Sequence, residues 1–305
     1  MSDNHLVSTS NARGHSEDLF CQYCDLNVGE SAVYTTRTGV RKAIRLEAMD
    51  AGSIAVRVNS SLTRISAGPV TPETAPSSLG DLPSIAEIEG LRIGVDATRT
   101  FMTGTRYSVS SLNLHKDARL HVSEMQQPLA SAITHVFPLP DFEWGFASNW
   151  LLKVIYGWHL GVDLYAGRGH LLVSIVDGTV IAMRHYRSGH DPEDYWGNNL
   201  GLLGEDGILY CYMHWDSVVE GIHLGSRVSA GDLIGSVGRT GFETKAIPSH
   251  LHLEMMILKH PERFCFAYER EPGVLVTPNR FLQPEVEGHV INPYPYLVEW
   301  YLGHA

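Results

Sequence analysis

Between Tyr156 and Gly241 the chain is never far from a glycine. Short apolar runs are broken at Gly178, Gly197, Gly207, Gly221, Gly225, Gly231, Gly235, Gly238 and Gly241. A glycine inside a helix costs about 1 kcal/mol relative to alanine, whereas a tight turn between strands often requires one. The spacing therefore disfavours long helices here and predicts antiparallel β-structure with tight turns. Upstream, Ile54, Val56 and Val58 alternate with Ala55 and Arg57, and Leu91, Ile93 and Val95 alternate likewise. That is the period of a half-buried strand. No long amphipathic helix is legible before residue 135, so a small β-sandwich or barrel is expected there. The Pro-, Ser- and Gly-rich segment from Gly68 to Pro83 reads as a long loop, and Phe137-Pro138-Leu139-Pro140 as an extended linker. Residues 259–290, which include Pro261, Pro272, Pro278 and Pro284, read as an irregular excursion. The expected architecture is all-β: a disordered tail over 1–18, an N-terminal β domain of unassigned role over 19–136, and a second, antiparallel β domain over 137–305.

A chain of 305 residues is long enough for two such domains. Its net charge of −11 argues against nucleic acid and anionic membranes as partners, since both call for clustered Lys and Arg. No run of about 18 apolar residues is present, so no membrane span is expected. The N-terminus is polar without a hydrophobic stretch, which on its own predicts a cytoplasmic protein. Four cysteines are too few for a disulfide scaffold. Cys21 and Cys24 make one C-x-x-C, half of a closed zinc site, and neither His5 nor His15 completes a standard spacing. Cys211 and Cys265 read as small buried hydrophobes.

Four pieces carry chemistry: His159-x-x-x-Asp163, Tyr212-Met213-His214, the glycine turns from Gly231 to Gly241, and His250-Leu251-His252. With 16 histidines in the chain, about one H-x-H and about one H-x-x-x-D arise by chance. A second H-x-x-x-D does occur, His190 to Asp194, in a polar loop, and is read as a decoy. Geometry sharpens the rest. His250 and His252 are two apart in an apolar strand pattern, so their imidazoles share a face. On a straight strand His159 and Asp163 would lie about 13 Å apart, too far for one ion, and Gly161 and Val162 disfavour a helix. Gly161 is therefore expected to turn the chain so that the two side chains converge. Two histidines and a carboxylate suit zinc, with a fourth position left for water. His135 gets no role.

Taken together and in order, these segments resemble the lysostaphin/LytM-type zinc metallopeptidases over about residues 135–258. The likeness is carried by Gly157-Trp158-His159-Leu160-Gly161-Val162-Asp163, Val176-Asp177-Gly178-Thr179-Val180, Trp196-Gly197-Asn198-Asn199, Tyr212-Met213-His214, the run from Gly225 to Gly241, and Ser249-His250-Leu251-His252-Leu253-Glu254. Asn292-Pro293-Tyr294-Pro295-Tyr296-Leu297 looks like that family's terminal strand. The resemblance implies one zinc ion per chain, held by His159, Asp163 and His252, with His214 and His250 as a catalytic pair beside activated water; which of the two is the base stays open. It implies an endopeptidase acting on peptidoglycan cross-links or Gly-rich peptides, outside the cytoplasm. The alternative keeps the zinc site and applies it to another substrate, an intracellular peptide or glycan. The segment from Gly241 to Ser249 is longer than in the family, and the loop from Tyr186 to Trp196 is long and polar. A lipoyl- or biotinyl-carrier module would suit the Val228 to Gly238 pattern, but no Met-Lys-Met is present.

Overall fold

The computed structural model describes residues 21–67, 76–99, 114–130, 133–146, 148, 150, 153–154, 157–185, 197–241, 247–258, 268–271, 274–276 and 288–303. The proposed tail 1–18, the decoy pair His190 and Asp194, Cys265, and most of the 259–290 excursion lie outside them.

Alternating apolar residues in the first part produce eight strands: β1 (Gln22–Leu26), β2 (Ser31–Thr35), β3 (Arg41–Met49), β4 (Ser53–Val58), β5 (Ser61–Ser66), β6 (Ile85–Ile88), β7 (Leu91–Thr98) and β8 (Ala118–Glu124). They form two antiparallel four-stranded sheets, ordered β1-β8-β7-β6 and β2-β3-β4-β5. Leu26, Ile44, Leu46, Val56, Ile65, Leu91, Ile93, Leu120 and Val122 fill one shared core between them. This is the sandwich that the period-two pattern predicts.

The second part begins with the short pair β9 (Lys153–Val154) and β10 (Gly157–Trp158). It continues with β11 (Val162–Tyr165), β12 (Leu171–Val173), β13 (Gly178–Arg184), β14 (Asn199–Gly204), β15 (Ile208–Met213), β16 (Ser217–Val218), β17 (Arg227–Val228), β18 (Leu233–Ser236) and β19 (His250–Leu258). After these come the hairpin β20 (Tyr268–Glu271) and β21 (Val274–Val276), then β22 (Gly288–Ile291) and the helix α1 (Tyr294–Leu302). The main sheet runs β11-β19-β15-β14-β13-β17, with β22 also pairing β19. A small sheet, β12-β18-β16, covers one of its faces. Leu164, Leu172, Tyr210, Tyr212, Ile234, Leu251 and Leu253 are buried in a single core there. Among the described residues no helix is long and apolar enough to cross a membrane.

Two local expectations change. Phe137 and Leu139 are buried, and Val136 and Pro138 hydrogen-bond the backbone of Ile175 and Val173. The Pro-rich stretch is extended as read, but it is stitched onto the second part, because its apolar residues have a core to join. Residues 294–297 form the first turn of α1 rather than a strand; the strand ends one residue before Asn292. Proline is welcome in a helix's first turn, where its missing N–H has no intrahelical acceptor to lose. Asn292 Oδ1 accepts from the Tyr294 N–H, and Tyr294, Tyr296 and Leu297 are fully buried.

The two parts are tightly joined. α1 contributes to the core that Leu79, Leu82 and Ile85 enter from the first part, and Tyr23 OH lies 2.6 Å from Tyr296 OH. On the opposite face of the main sheet, Leu209, Cys211, Met213, Met256 and Leu258 are covered by Ala97, Leu114 and Trp150. Trp150 Nε1 donates to the Asp96 carbonyl at 2.6 Å.

Candidate metal centre

Strand alternation on β19 divides its side chains sharply. Leu251, Leu253 and Met255 enter the core, so His250, His252 and Glu254 take the other face. All three are buried nonetheless. β11 pairs with β19 so that Asp163 stands opposite His252 and Tyr165 opposite His250; on the other side, β15 places Met213 opposite His252. His214 follows directly after β15 with φ 67°, a left-handed conformation uncommon for any residue but glycine. The turn is held by hydrogen bonds. His214 N donates to the Asn198 carbonyl, and Asn198 Nδ2 donates to the Trp215 carbonyl. Thr240 Oγ1 accepts from Asn198 N. A Cβ on Gly197 would lie 2.1 Å from the Thr240 carbonyl oxygen, and the residue has φ +55°, so glycine is required there twice over.

The three expected ligands converge. Asp163 Oδ1 lies 3.1 Å from His159 Nε2 and 2.8 Å from His252 Nδ1. Candidate ligand atoms of His159, Asp163 and His252 all lie within 4.8 Å of one another, and among the described residues this is the group able to hold an ion. Gly161 acts differently from expectation. It carries no left-handed φ; its missing side chain makes room, since a Cβ there would sit 2.6 Å from both His252 Nε2 and the Leu253 carbonyl oxygen.

Electrostatics fit the same reading. Burial alone would raise the Asp163 carboxyl, but hydrogen bonds from His159 and His252 outweigh it and hold the group well below the usual carboxylate range. Burial would lower His252, yet its hydrogen bonds to Asp163 and Glu254 carry it up to about 9. These contacts occupy both imidazole nitrogens, with Nε2 at 3.2 Å from Glu254 Oε1. Nδ1 thus faces Asp163 and the other candidate ligand, and Glu254 meets the ring from behind, the arrangement carboxylates take toward metal-ligating histidines. The donor chemistry, two imidazoles and one carboxylate, fits zinc.

His214 and His250 stand alongside, with ring centroids 4.9 Å apart. Both are buried. His250 Nδ1 lies 2.8 Å from the Pro248 carbonyl and His214 Nδ1 lies 3.0 Å from that of Thr240. A carbonyl only accepts, so Nδ1 carries the proton in each ring and Nε2 is the basic nitrogen. Burial lowers both rings.

Sequence reasoning passed over Glu254 and Tyr165 as site residues. Both sit two positions from an expected ligand, so the period-two rule applied outward from His252 and Asp163 would have found them. The residues given no role have structural occupations. His135 pairs with Asp206 at 2.9 Å and stacks on Trp300, and His170 bonds the Pro140 carbonyl. Cys211 is a buried thiol, and burial pushes Cys24 up to about 12.

Residues 157–263 match Peptidase family M23. Over 101 residues the chain is 34% identical to the glycyl-glycine endopeptidase ALE-1 of Staphylococcus capitis, covering 33% of this chain and 25% of that protein. Over 129 residues it is 29% identical to an L-Ala–D-Glu endopeptidase of Bacillus subtilis, covering 40% and 37% respectively. The chain thus spans well under half the length of these relatives. Among solved structures it is similar to the catalytic domain of lysostaphin from Staphylococcus simulans, with 25% identity, a TM-score of 0.32, and coverage of 51% of this chain and 90% of that one.

Proposed function

From the premise that this chain belongs to the lysostaphin/LytM-type peptidases of family M23, we propose that it is a zinc-dependent endopeptidase acting on peptidoglycan cross-links or Gly-rich peptides. Such a substrate sets its place of action outside the cytoplasm. The division into an N-terminal β domain over 19–136 and a peptidase domain over 137–305 belongs to the same reading. It is supported by the separate sandwich core of the first eight strands.

One observation carries the reading. His159 and His252 converge on a single oxygen of Asp163, with the tilted His250 and His214 rings packed beside them, each Nδ1 on a backbone carbonyl. His159, Asp163 and His252 hold the ion, which when bound supplies Lewis-acid activation of water near neutral pH. Glu254 keeps the His252 ring in register. His250, whose Nε2 lies 3.8 Å from Asp163 Oδ1, is placed to accept a proton at that nitrogen. His214, one ring further out, is placed to take that proton onto its own Nε2 and pass it to the departing amine. The Pro248 and Thr240 carbonyls do the quieter work of keeping each Nδ1 protonated, so that both basic nitrogens stay on the side of the reaction.

The test is hydrolysis of peptidoglycan and oligoglycine peptides by the zinc-loaded protein, with and without a chelator. Chelator-sensitive cleavage is expected. Zinc-loaded protein that cleaves unrelated peptides and leaves both of these intact would transfer the site to the alternative substrate class. Protein that takes up no zinc would end the reading.

A further inference from the structure

The outer face of the sheet β2-β3-β4-β5 gathers arginines that the sequence scatters. Ile44, Leu46, Ile54, Val56 and Ile65 enter the sandwich core, so the alternate residues Arg41, Arg45, Arg57 and Arg64 take the outward side. Arg45 stands directly opposite Arg57 on the neighbouring strand. Arg57 in turn stands opposite Leu62, two residues from Arg64, so Arg64 lies one diagonal step away. Arg41, Leu62 and Arg64 are exposed, and Arg45 and Arg57 are partly so.

Like charges directly opposite one another in a sheet are destabilising, and here the fold accommodates them with a single acid. β3 is bulged between Leu46 and Ala48, and the bulge carries Glu47. Glu47 Oε1 accepts from Arg57 Nε at 2.6 Å, while Oε2 lies 3.5 Å from Arg45 Nε. One carboxylate thus serves two guanidiniums, each of which has five N–H donors. Arg57 gives another of its donors to the Ser60 carbonyl. Arg64 meets Asp50 at 2.9 Å with both side chains more than half exposed, a contact in open water that an incoming anion can displace. Guanidinium therefore exceeds carboxylate on this face, in a chain whose net charge is −11.

We propose that this face of the first sandwich binds peptidoglycan through the carboxylates of its stem peptides, holding the insoluble polymer while the metal centre cuts it. The proposal rests on the peptidoglycan reading of that centre. Guanidinium forks match carboxylates with two parallel hydrogen bonds. A carboxylate arriving beside Glu47 gives Arg45 and Arg57 one acidic partner each and ends the mismatch between them. The rest of the surface selects among anions. A long uniform polyanion such as nucleic acid is repelled by the net negative charge beyond the patch. A polymer whose carboxylates are spaced along short peptides need touch only the arginines. The other sheet of the sandwich is the one that meets the second part, through Tyr23 on β1 and Asp96 on β7. The arginine face looks away from it, so the stem it holds is a different one from the stem being cut.

The zinc-loaded full chain is mixed on ice with insoluble peptidoglycan stripped of phosphodiester polymers, for times at which no soluble fragment appears, and the sedimenting fraction is measured. Wild type is expected to sediment, less so as salt rises. Arg45→Glu with Arg57→Glu is expected to bind roughly 10-fold more weakly or worse, while cleaving a short soluble peptide at the wild-type rate. Arg45→Lys with Arg57→Lys keeps the charge without the fork and is expected to fall between the two. Equal sedimentation of wild type and the glutamate pair overturns the proposal. So does full binding of wild type to peptidoglycan whose carboxyl groups have been amidated, or binding only while phosphodiester polymers remain. If circular dichroism shows the glutamate pair misfolded, the lysine pair and the amidated polymer decide. Wild type that sediments on stripped peptidoglycan but releases no fragment on warming strikes the peptidase reading and leaves the docking face standing.

Discussion

Gly161 lies so close to His252 that one added carbon would come within 2.6 Å of the ring's Nε2. The ring has little room to yield, with Nδ1 on Asp163, Nε2 on Glu254 and the edge-on His159 ring 4.6 Å away. Gly161→Ala is therefore expected to displace His252 while leaving β11 and β19 paired. Zinc affinity should fall about 10–100-fold, the range typical when a ligand loses its support. Circular dichroism with zinc titration checks this, and wild-type affinity in the alanine variant would show that the ring moves freely.

Ligands and proton carriers should separate by metal content. His252→Ala and His159→Ala are expected to lose both zinc and activity. His250→Ala and His214→Ala are expected to keep zinc and slow hydrolysis by roughly 10²–10⁴-fold. Elemental analysis beside a rate measurement distinguishes the groups. Full activity in His214→Ala would remove it from the reaction, and zinc loss in His250→Ala but not in His252→Ala would exchange the two.

Glu254 offers a finer test. It is 2% exposed, Oε1 faces His252 and Oε2 has no hydrogen-bond partner among the described residues. A buried carboxylate with one unsatisfied oxygen is costly unless it acts on something. Glu254→Gln preserves the shape and discards the charge. A drop in zinc affinity of about 10–100-fold with an unchanged or higher melting temperature is expected. Unchanged affinity would leave Glu254 without a part in orienting the ring.

Far from the metal, His121 should govern acid stability. It is 1% exposed on β8, its ring sits over Gly94, and neither nitrogen has a hydrogen-bond partner among the described residues. Burial, reinforced by the charge of Arg92, lowers it to about 4. A depressed histidine lets the unfolded chain take up the proton first, so stability is full above the unfolded value near 6.5 and is lost as pH falls from there to about 4. The loss approaches about 3 kcal/mol. His121→Leu removes no hydrogen bond and should match wild type at pH 7 while losing less on acidification. Parallel pH profiles of the two proteins would assign the acid limb elsewhere.

The strands and the cluster of histidines were legible because period-two alternation and glycine punctuation are local signals. His250 and His252 share a face for reasons a reader can count. The convergence of His159 on Asp163 could be expected as a turn, but the physical cause at Gly161 lay 91 positions away, in His252, where a sequence reading has no purchase. Glu254 and Tyr165 were hidden differently: a glutamate and a tyrosine in strands look ordinary until register sets them against a ligand. α1 was misread because the segment Asn292 to Leu297 was matched to a family's terminal strand, and only the core that buries Tyr294 and Tyr296 makes a helix worthwhile there. The covering of Met213 and Met256 by Ala97, Leu114 and Trp150 was unreadable for the same reason: it is contact between distant parts.

The hydrogen bond between Tyr23 and Tyr296 spans 273 positions of sequence. A clasp of that reach cannot close until the strands between its ends have found their places, and contacts so far apart form slowly. During synthesis Tyr23, Leu79, Leu82 and Ile85 must therefore wait for their partners in α1 until it emerges and docks. A nick near either end of the described chain would open the same clasp, so damage at the last helix should be felt first at the opening strand.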